Sequence, residues 1–100
     1  MKYARLDRQA IEASMKEIPD WALAEDGASI SRRFQFKTFV SAFGFMSECA
    51  LCAERLDHHP EWSNVYGRVD VLLTTHVAKG LTELDFKLAR LMDGAAAHRI

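Results

Sequence analysis

Residues 62–76, WSNVYGRVDVLLTTH, decide the fold. Val69, Val71 and Leu73 alternate with Arg68, Asp70 and Leu72, the period of two that gives a strand one buried and one wet face. Gly67 is placed to turn this strand back on the residues before it, so the segment reads as a β-hairpin. Upstream, residues 21–36, WALAEDGASISRRFQF, repeat the logic: Ile30, Phe34 and Phe36 share one parity, and Glu25-Asp26-Gly27 supplies the turn. Two hairpins give four strands and favour a mainly antiparallel sheet.

Helical periods surround the hairpins. In residues 6–21, LDRQAIEASMKEIPDW, Asp7 is the expected N-cap, Leu6 and Ile11 have staple spacing, and Ile11, Met15 and Ile18 form the stripe. Pro19 is expected to end that helix. From Thr38 to Asp57 a second helix carries Phe39, Phe43, Met46, Ala50 and Ala53 on one face. A third, in GLTELDFKLARLMD, carries Leu81, Leu84, Leu88 and Leu91, with Thr82 as its cap and Asp85 in its first turn. The order is α-β-β-α-β-β-α, an α+β fold with a four-stranded sheet and three helices on one face, in a single domain over residues 1–100. Phe86 projects away from the leucine stripe, which points to a second greasy surface and a homo-oligomer.

Composition narrows the function. A net charge of −1 and no basic run leave no electrostatic footprint for nucleic acid. No stretch reaches the roughly 20 apolar residues of a membrane span, and MKYARLDRQA lacks the apolar centre of a signal peptide, so a cytoplasmic location is expected. Two cysteines without a disulfide framework suit a reducing compartment. Cys49 and Cys52 form a CxxC, but it lies in mid-helix and not at a helix N-terminus, so core packing accounts for it. A zinc site built from these cysteines with His58 and His59 would need the histidines to fold back more than a turn.

The chemistry concentrates in ERLDHHPEWSNVY, residues 54–66. Pro60 biases His59 toward an extended backbone, which places His58 at the end of the long helix. There the helix dipole and Glu54, one turn earlier, favour a positive charge and suit a general acid. His58 could equally serve only as a C-capping cation, His59 as an exposed loop residue and Asp85 as a plain capping acid. His76 follows the strand end LLTT, where small domains place reactive groups, although a surface histidine is ordinary there. Glu54 and Asp85 each project toward the edge of a buried face, where a carboxylate usually has a defined partner. Three histidines and two such carboxylates suit acid-base chemistry, and no serine or cysteine is placed as a nucleophile beside a base.

Taken together, Glu54, His58-His59-Pro60, Tyr66, His76 and Asp85 resemble, in type and spacing, the signature of the pterin-4a-carbinolamine dehydratases. The likeness extends through FQFKTFVSAFGFM, HHPEWSNVY, VDVLLTTH and GLTELDFKLA, most of residues 34–90. The resemblance implies a four-stranded antiparallel sheet with three helices, assembly as a homodimer or homotetramer, and loss of water from a 4a-hydroxytetrahydropterin to give the quinonoid dihydropterin. It implies a pterin as substrate, no cofactor or metal, and a functional link to phenylalanine hydroxylase, whose oxidised pterin would be recycled. On this reading His58 and His76 form the acid-base pair and His59 orients the pterin. Glu54 orients His58 or bonds the pterin's amino-pyrimidine edge, Asp85 supports His76, and Pro60, Tyr66 and Thr75 are supporting positions. The alternatives are a non-enzymatic interaction module, since vertebrate members of the family also act as dimerisation cofactors for a homeodomain transcription factor, a metal or thiol sensor, and a dehydratase of another pterin such as a molybdopterin-type one.

Overall fold

The computed structural model describes residues 3–99. Its elements are α1 (Arg8–Met15), β1 (Ala22–Leu23), β2 (Ile30–Gln35), α2 (Phe39–Leu56), β3 (Glu61–Val65), β4 (Arg68–Leu73), a 3-10 turn (His76–Ala78) and α3 (Glu83–Ala97). All strand pairs are antiparallel, in the order β1-β2-β4-β3. The α-β-β-α-β-β-α order and the α+β class are those expected.

The register follows from the alternation. Ile30 faces Leu73 and Phe34 faces Val69 across the β2–β4 pair, and all four are at most 1% exposed. Trp62 sits beside Val71 on the same inner side. The outer side carries Arg33 paired with Asp70 at 2.7 Å, and Arg68 with the same carboxylate at 3.2 Å. That face is polar and meets water, so the helices cover the inner one. Phe34, Phe36 and Phe45 cluster there with centroid separations of 4.6 to 6.4 Å.

Tyr66 and Gly67 form the β3–β4 turn, with Tyr66 in the left-handed region at φ 51°. Gly67 is required by close approach: its carbonyl accepts from the Phe36 amide at 2.7 Å, and a Cβ at this position would lie 2.3 Å from the Phe36 carbonyl oxygen.

Four expectations need correction. The first helix stops at Met15, ahead of Pro19, because its last turn tightens into i to i+3 bonds, Glu17 to Ser14 and Ile18 to Met15, which place Ile18 in the core. In α2 the buried face is Ala42, Phe45, Cys49, Cys52 and Ala53, while Phe39 and Phe43 are 47% and 57% exposed. The small residues of α2 are buried where it packs on α3, itself lined by Ala89, Ala95 and Ala96. In α3, Leu91 is outside and Leu81 precedes the helix; the buried set is Asp85, Phe86, Leu88, Ala89, Met92, Ala95 and Ala96. Phe86 is therefore core, and the outward greasy surface belongs to α2.

Candidate active site

α2 ends in a way that aims the first histidine inward. Asp57 adopts the left-handed conformation at φ 52°, its amide bonding Glu54, and the His58 amide reaches Ala53 at 3.0 Å. These paired bonds form a Schellman cap. The reversal turns His58 beneath the surface, 7% exposed, while His59 stays outside ahead of Pro60. His58 thus lies past the cap, and Glu54 is not its partner.

The partner is Asp85, in the first turn of α3 and fully buried. His58 Nε2 lies 2.6 Å from Asp85 Oδ1. Asp85 Oδ2 accepts from the Thr75 hydroxyl at 2.8 Å and from the Thr82 amide at 2.9 Å. One carboxylate therefore closes the capping box of α3 and fixes an imidazole. Against an ionised Asp85, which only accepts, His58 Nε2 is the donor of this bond, and Nδ1 is the ring nitrogen left for other partners.

The other two histidines also hold carboxylates, but in the open. His59 Nε2 lies 2.9 Å from Glu54 Oε1, and His76 Nε2 lies 3.0 Å from Glu61 Oε2. His76 begins the 3-10 turn, whose base is closed by the bridge between Thr75 and Gly80. His58, His59, Thr75 and His76 line one shallow cleft of about 260 Å³ together with Asp57 and Thr74. A somewhat larger groove of about 300 Å³ runs between α1 and the Gly27 turn. It contains no histidine; Asp7 in it caps α1 and Arg8 pairs with Glu12.

The structure thus brings together His58, His59, His76, Glu54, Thr75 and Asp85, with pairings that differ from those expected. Asp85 serves His58 and not His76, and Glu54 serves His59. Tyr66 is elsewhere: it occupies the far end of the β3–β4 hairpin, about 16 Å of strand from Glu61. Pro60 does not line the cleft; it separates His59 from β3. Sequence reasoning missed Glu61 as the companion of His76, although the hairpin register, Glu61 opposite Leu72, carries it toward the loop that follows β4. Thr82 was read only as a cap.

Burial pushes the Cys49 thiol up to about 12, with the neighbouring Cys52 adding to the effect. Such a thiol is no redox nucleophile, and the CxxC packs in the core. Among the described residues no three His, Cys, Asp or Glu side chains converge as metal ligands. No helix among them is long and apolar enough to cross a membrane.

Comparison with known proteins extends this picture. Residues 4–95 match the family described as pterin 4 alpha carbinolamine dehydratase. A protein of Rhizobium johnstonii, provisionally named a pterin-4-alpha-carbinolamine dehydratase, is 60% identical over 100% of this chain and 99% of its own. A Chelativorans protein with the same provisional name is 59% identical over 97% of this chain and 99% of its own. The crystal structure of a transcriptional coactivator/pterin dehydratase from Brucella melitensis superimposes with a TM-score of 0.88 at 48% identity, covering 92% of this chain and 98% of that one. A pterin dehydratase-like protein identified as a RuBisCO assembly factor in the alpha-carboxysome shares the fold alone, with a TM-score of 0.68 at 20% identity over 77% of this chain and 89% of that one.

Proposed function

From the premise that the chain belongs to the pterin 4 alpha carbinolamine dehydratase family, we propose that it removes water from a 4a-hydroxytetrahydropterin by histidine acid-base catalysis. The observation that carries this reading is the buried His58–Asp85 pair opening on a cleft shared with His59 and His76. In the reaction the C4a–O bond breaks and the hydroxyl departs as water after receiving a proton. The N5 proton passes to a base, and its electron pair forms the C4a=N5 double bond of the quinonoid product.

A hydroxyl leaves poorly until protonated, so the step needs one acid and one base with proton affinities near the working pH, a role imidazoles fill. His58 and His76 are that pair. His58 is held in one tautomer by Asp85, as a catalytic histidine is held by its aspartate in a serine-protease triad. His59, with Glu54, binds and orients the pterin ring at the rim. No cofactor takes part in this scheme, and the substrate is the hydrate released when a pterin-dependent aromatic hydroxylase such as phenylalanine hydroxylase turns over.

The test follows the decay of a freshly generated 4a-hydroxytetrahydropterin by ultraviolet absorbance with the protein, without it, and with His58→Ala. Acceleration that the variant loses is the expected result. If the unsubstituted protein gives no acceleration, the dehydratase reading fails and a binding role takes its place.

We further propose that the chain works as a homo-oligomer joined through α2. Phe39, Val40, Phe43 and Leu51 are 47%, 79%, 57% and 67% exposed and fall on one side of that helix, broken only by Ser47, an apolar surface of the kind a second copy covers.

A further inference from the structure

We infer that Thr82 is a positioning residue for His58, acting through a one-way chain of hydroxyls that sets the orientation of Asp85. Its catalytic consequence rests on the dehydratase reading; the chain itself does not. Four buried groups lie in line: the Thr82 hydroxyl is 2.9 Å from that of Thr75, Thr75 is 2.8 Å from Asp85 Oδ2, and Asp85 Oδ1 is 2.6 Å from His58 Nε2. Thr82 and Asp85 are 0% exposed and Thr75 is 3% exposed, so water does not substitute for a missing partner.

The direction of the chain follows from counting protons. A carboxylate only accepts, so Thr75 spends its single hydroxyl proton on Asp85. In its contact with Thr82 the Thr75 oxygen must then accept, which makes Thr82 the donor. The Thr82 oxygen in turn accepts from the Leu84 amide at 3.3 Å, and its own amide donates to Asp85 Oδ2 at 2.9 Å. Thr82 therefore grips Asp85 twice, directly by its amide and through Thr75 by its hydroxyl. With Oδ2 held from two sides the carboxylate plane is fixed, and Oδ1 has one place to point: His58 Nε2. Helix capping alone uses the Thr82 oxygen as an acceptor and has no need of its proton. The donated proton is the part that capping does not explain.

Without that proton the Thr75 hydroxyl is no longer pinned as a donor to Asp85, so one of the two grips on Oδ2 loosens, the carboxylate can turn and the imidazole can choose between its two tautomers. The decisive measurement is the nitrogen-15 spectrum of the His58 ring in the unsubstituted protein, Thr82→Val, Thr82→Ser and Thr75→Val. A single Nε2–H tautomer is expected in the unsubstituted protein and in Thr82→Ser, and a mixture in both valine variants. In the dehydration assay kcat should fall in both valine variants by on the order of tenfold, a part of the about 10²–10⁴ that a positioned acid or base supplies, with KM little changed. Serine at position 82 should restore it. A Thr82→Val protein that loses stability but keeps one tautomer and full kcat would make Thr82 a cap and nothing more. If that variant does not fold, hydrogen exchange on the unsubstituted protein decides: the Thr82 hydroxyl proton should be protected and show a nuclear Overhauser contact to Thr75, and rapid exchange would overturn the chain. Because the tautomer is read without substrate, an inactive protein with a locked His58 would count against the dehydratase reading and leave the chain standing.

Discussion

Asp85 carries two jobs on two oxygens, capping α3 with one and fixing His58 with the other. Asp85→Asn presents one amide nitrogen where an acceptor is needed: if it replaces Oδ2, it meets the Thr75 and Thr82 donors; if it replaces Oδ1, it meets the Nε2 proton of His58. Activity should drop by on the order of 10⁴, the scale of the same change in a protease triad, and stability by about 1–3 kcal/mol for the mismatched buried group. His76→Ala, at an exposed site, should lower kcat while changing stability by no more than about 0.5 kcal/mol. Urea unfolding beside the rate assay checks both, and equal stability losses would refute the contrast. Cys49 gives a pH prediction. Its folded value is raised to about 12 from an ordinary 9.0, so the folded thiol keeps its proton where the unfolded one loses it. The stabilising contribution is complete below pH 9 and is lost as pH rises toward 12. The urea midpoint should therefore fall more steeply between pH 9 and 11 than in Cys49→Ala. At pH 9 a thiol reagent should leave Cys49 of the native protein unmodified, as read by mass spectrometry.

The β3–β4 hairpin depends on a glycine chosen for space rather than for a positive φ. Gly67→Ala would drive a methyl into the Phe36 carbonyl, so β2 must move off β4 or the turn must open. A loss of about 2–3 kcal/mol, the scale of other overpacked positions, should appear as a lower thermal midpoint. The alternation in β4 was legible in the sequence because the two faces of a sheet differ sharply in polarity: Val69, Val71 and Leu73 are at most 3% exposed beside Arg33, Asp70 and Arg68. The phase of α2 was not legible, because that helix is apolar on two sides. Its small residues Ala42, Cys49 and Ala53 are buried, and its large aromatics Phe39 and Phe43 point outward, so side-chain size suggested the wrong face. The site was legible as a set of histidines and carboxylates but not as pairs. Pairing depended on the left-handed Asp57, a position sequence would assign to glycine or asparagine, which swings His58 away from Glu54 and toward Asp85. Glu61 was hidden for a related reason: it reaches His76 across the strand register, which spacing along the chain does not report.

At the scale of the whole molecule, α2 links the proposed assembly surface near its start to the proposed active site at its end. Its 18 residues span about 27 Å, with Phe39 and Phe43 near the start and the turn into His58 at the finish. Phe39 and Phe43 pack as tilted rings 5.8 Å apart and stay about half exposed, the apolar area that the proposed second copy would cover. A charge at the middle of this stripe should abolish assembly, because burying an unpaired carboxylate in a two-fold contact costs several kcal/mol on each side. Phe43→Asp should therefore convert the oligomer to a monomer in sedimentation velocity. The Phe43 ring contributes little to the core of its own chain, so the thermal midpoint of the monomer should be set by the lost contact alone. Phe43 lies about 20 Å along the helix from His58, and none of the cleft residues comes from the outward stripe. The rate per protomer in the dehydration assay should therefore be retained. A variant that stays oligomeric would move the contact away from α2. A monomer that loses its rate would mean instead that the cleft is completed across the contact, and that His58, His59 and His76 act with help from a neighbouring copy.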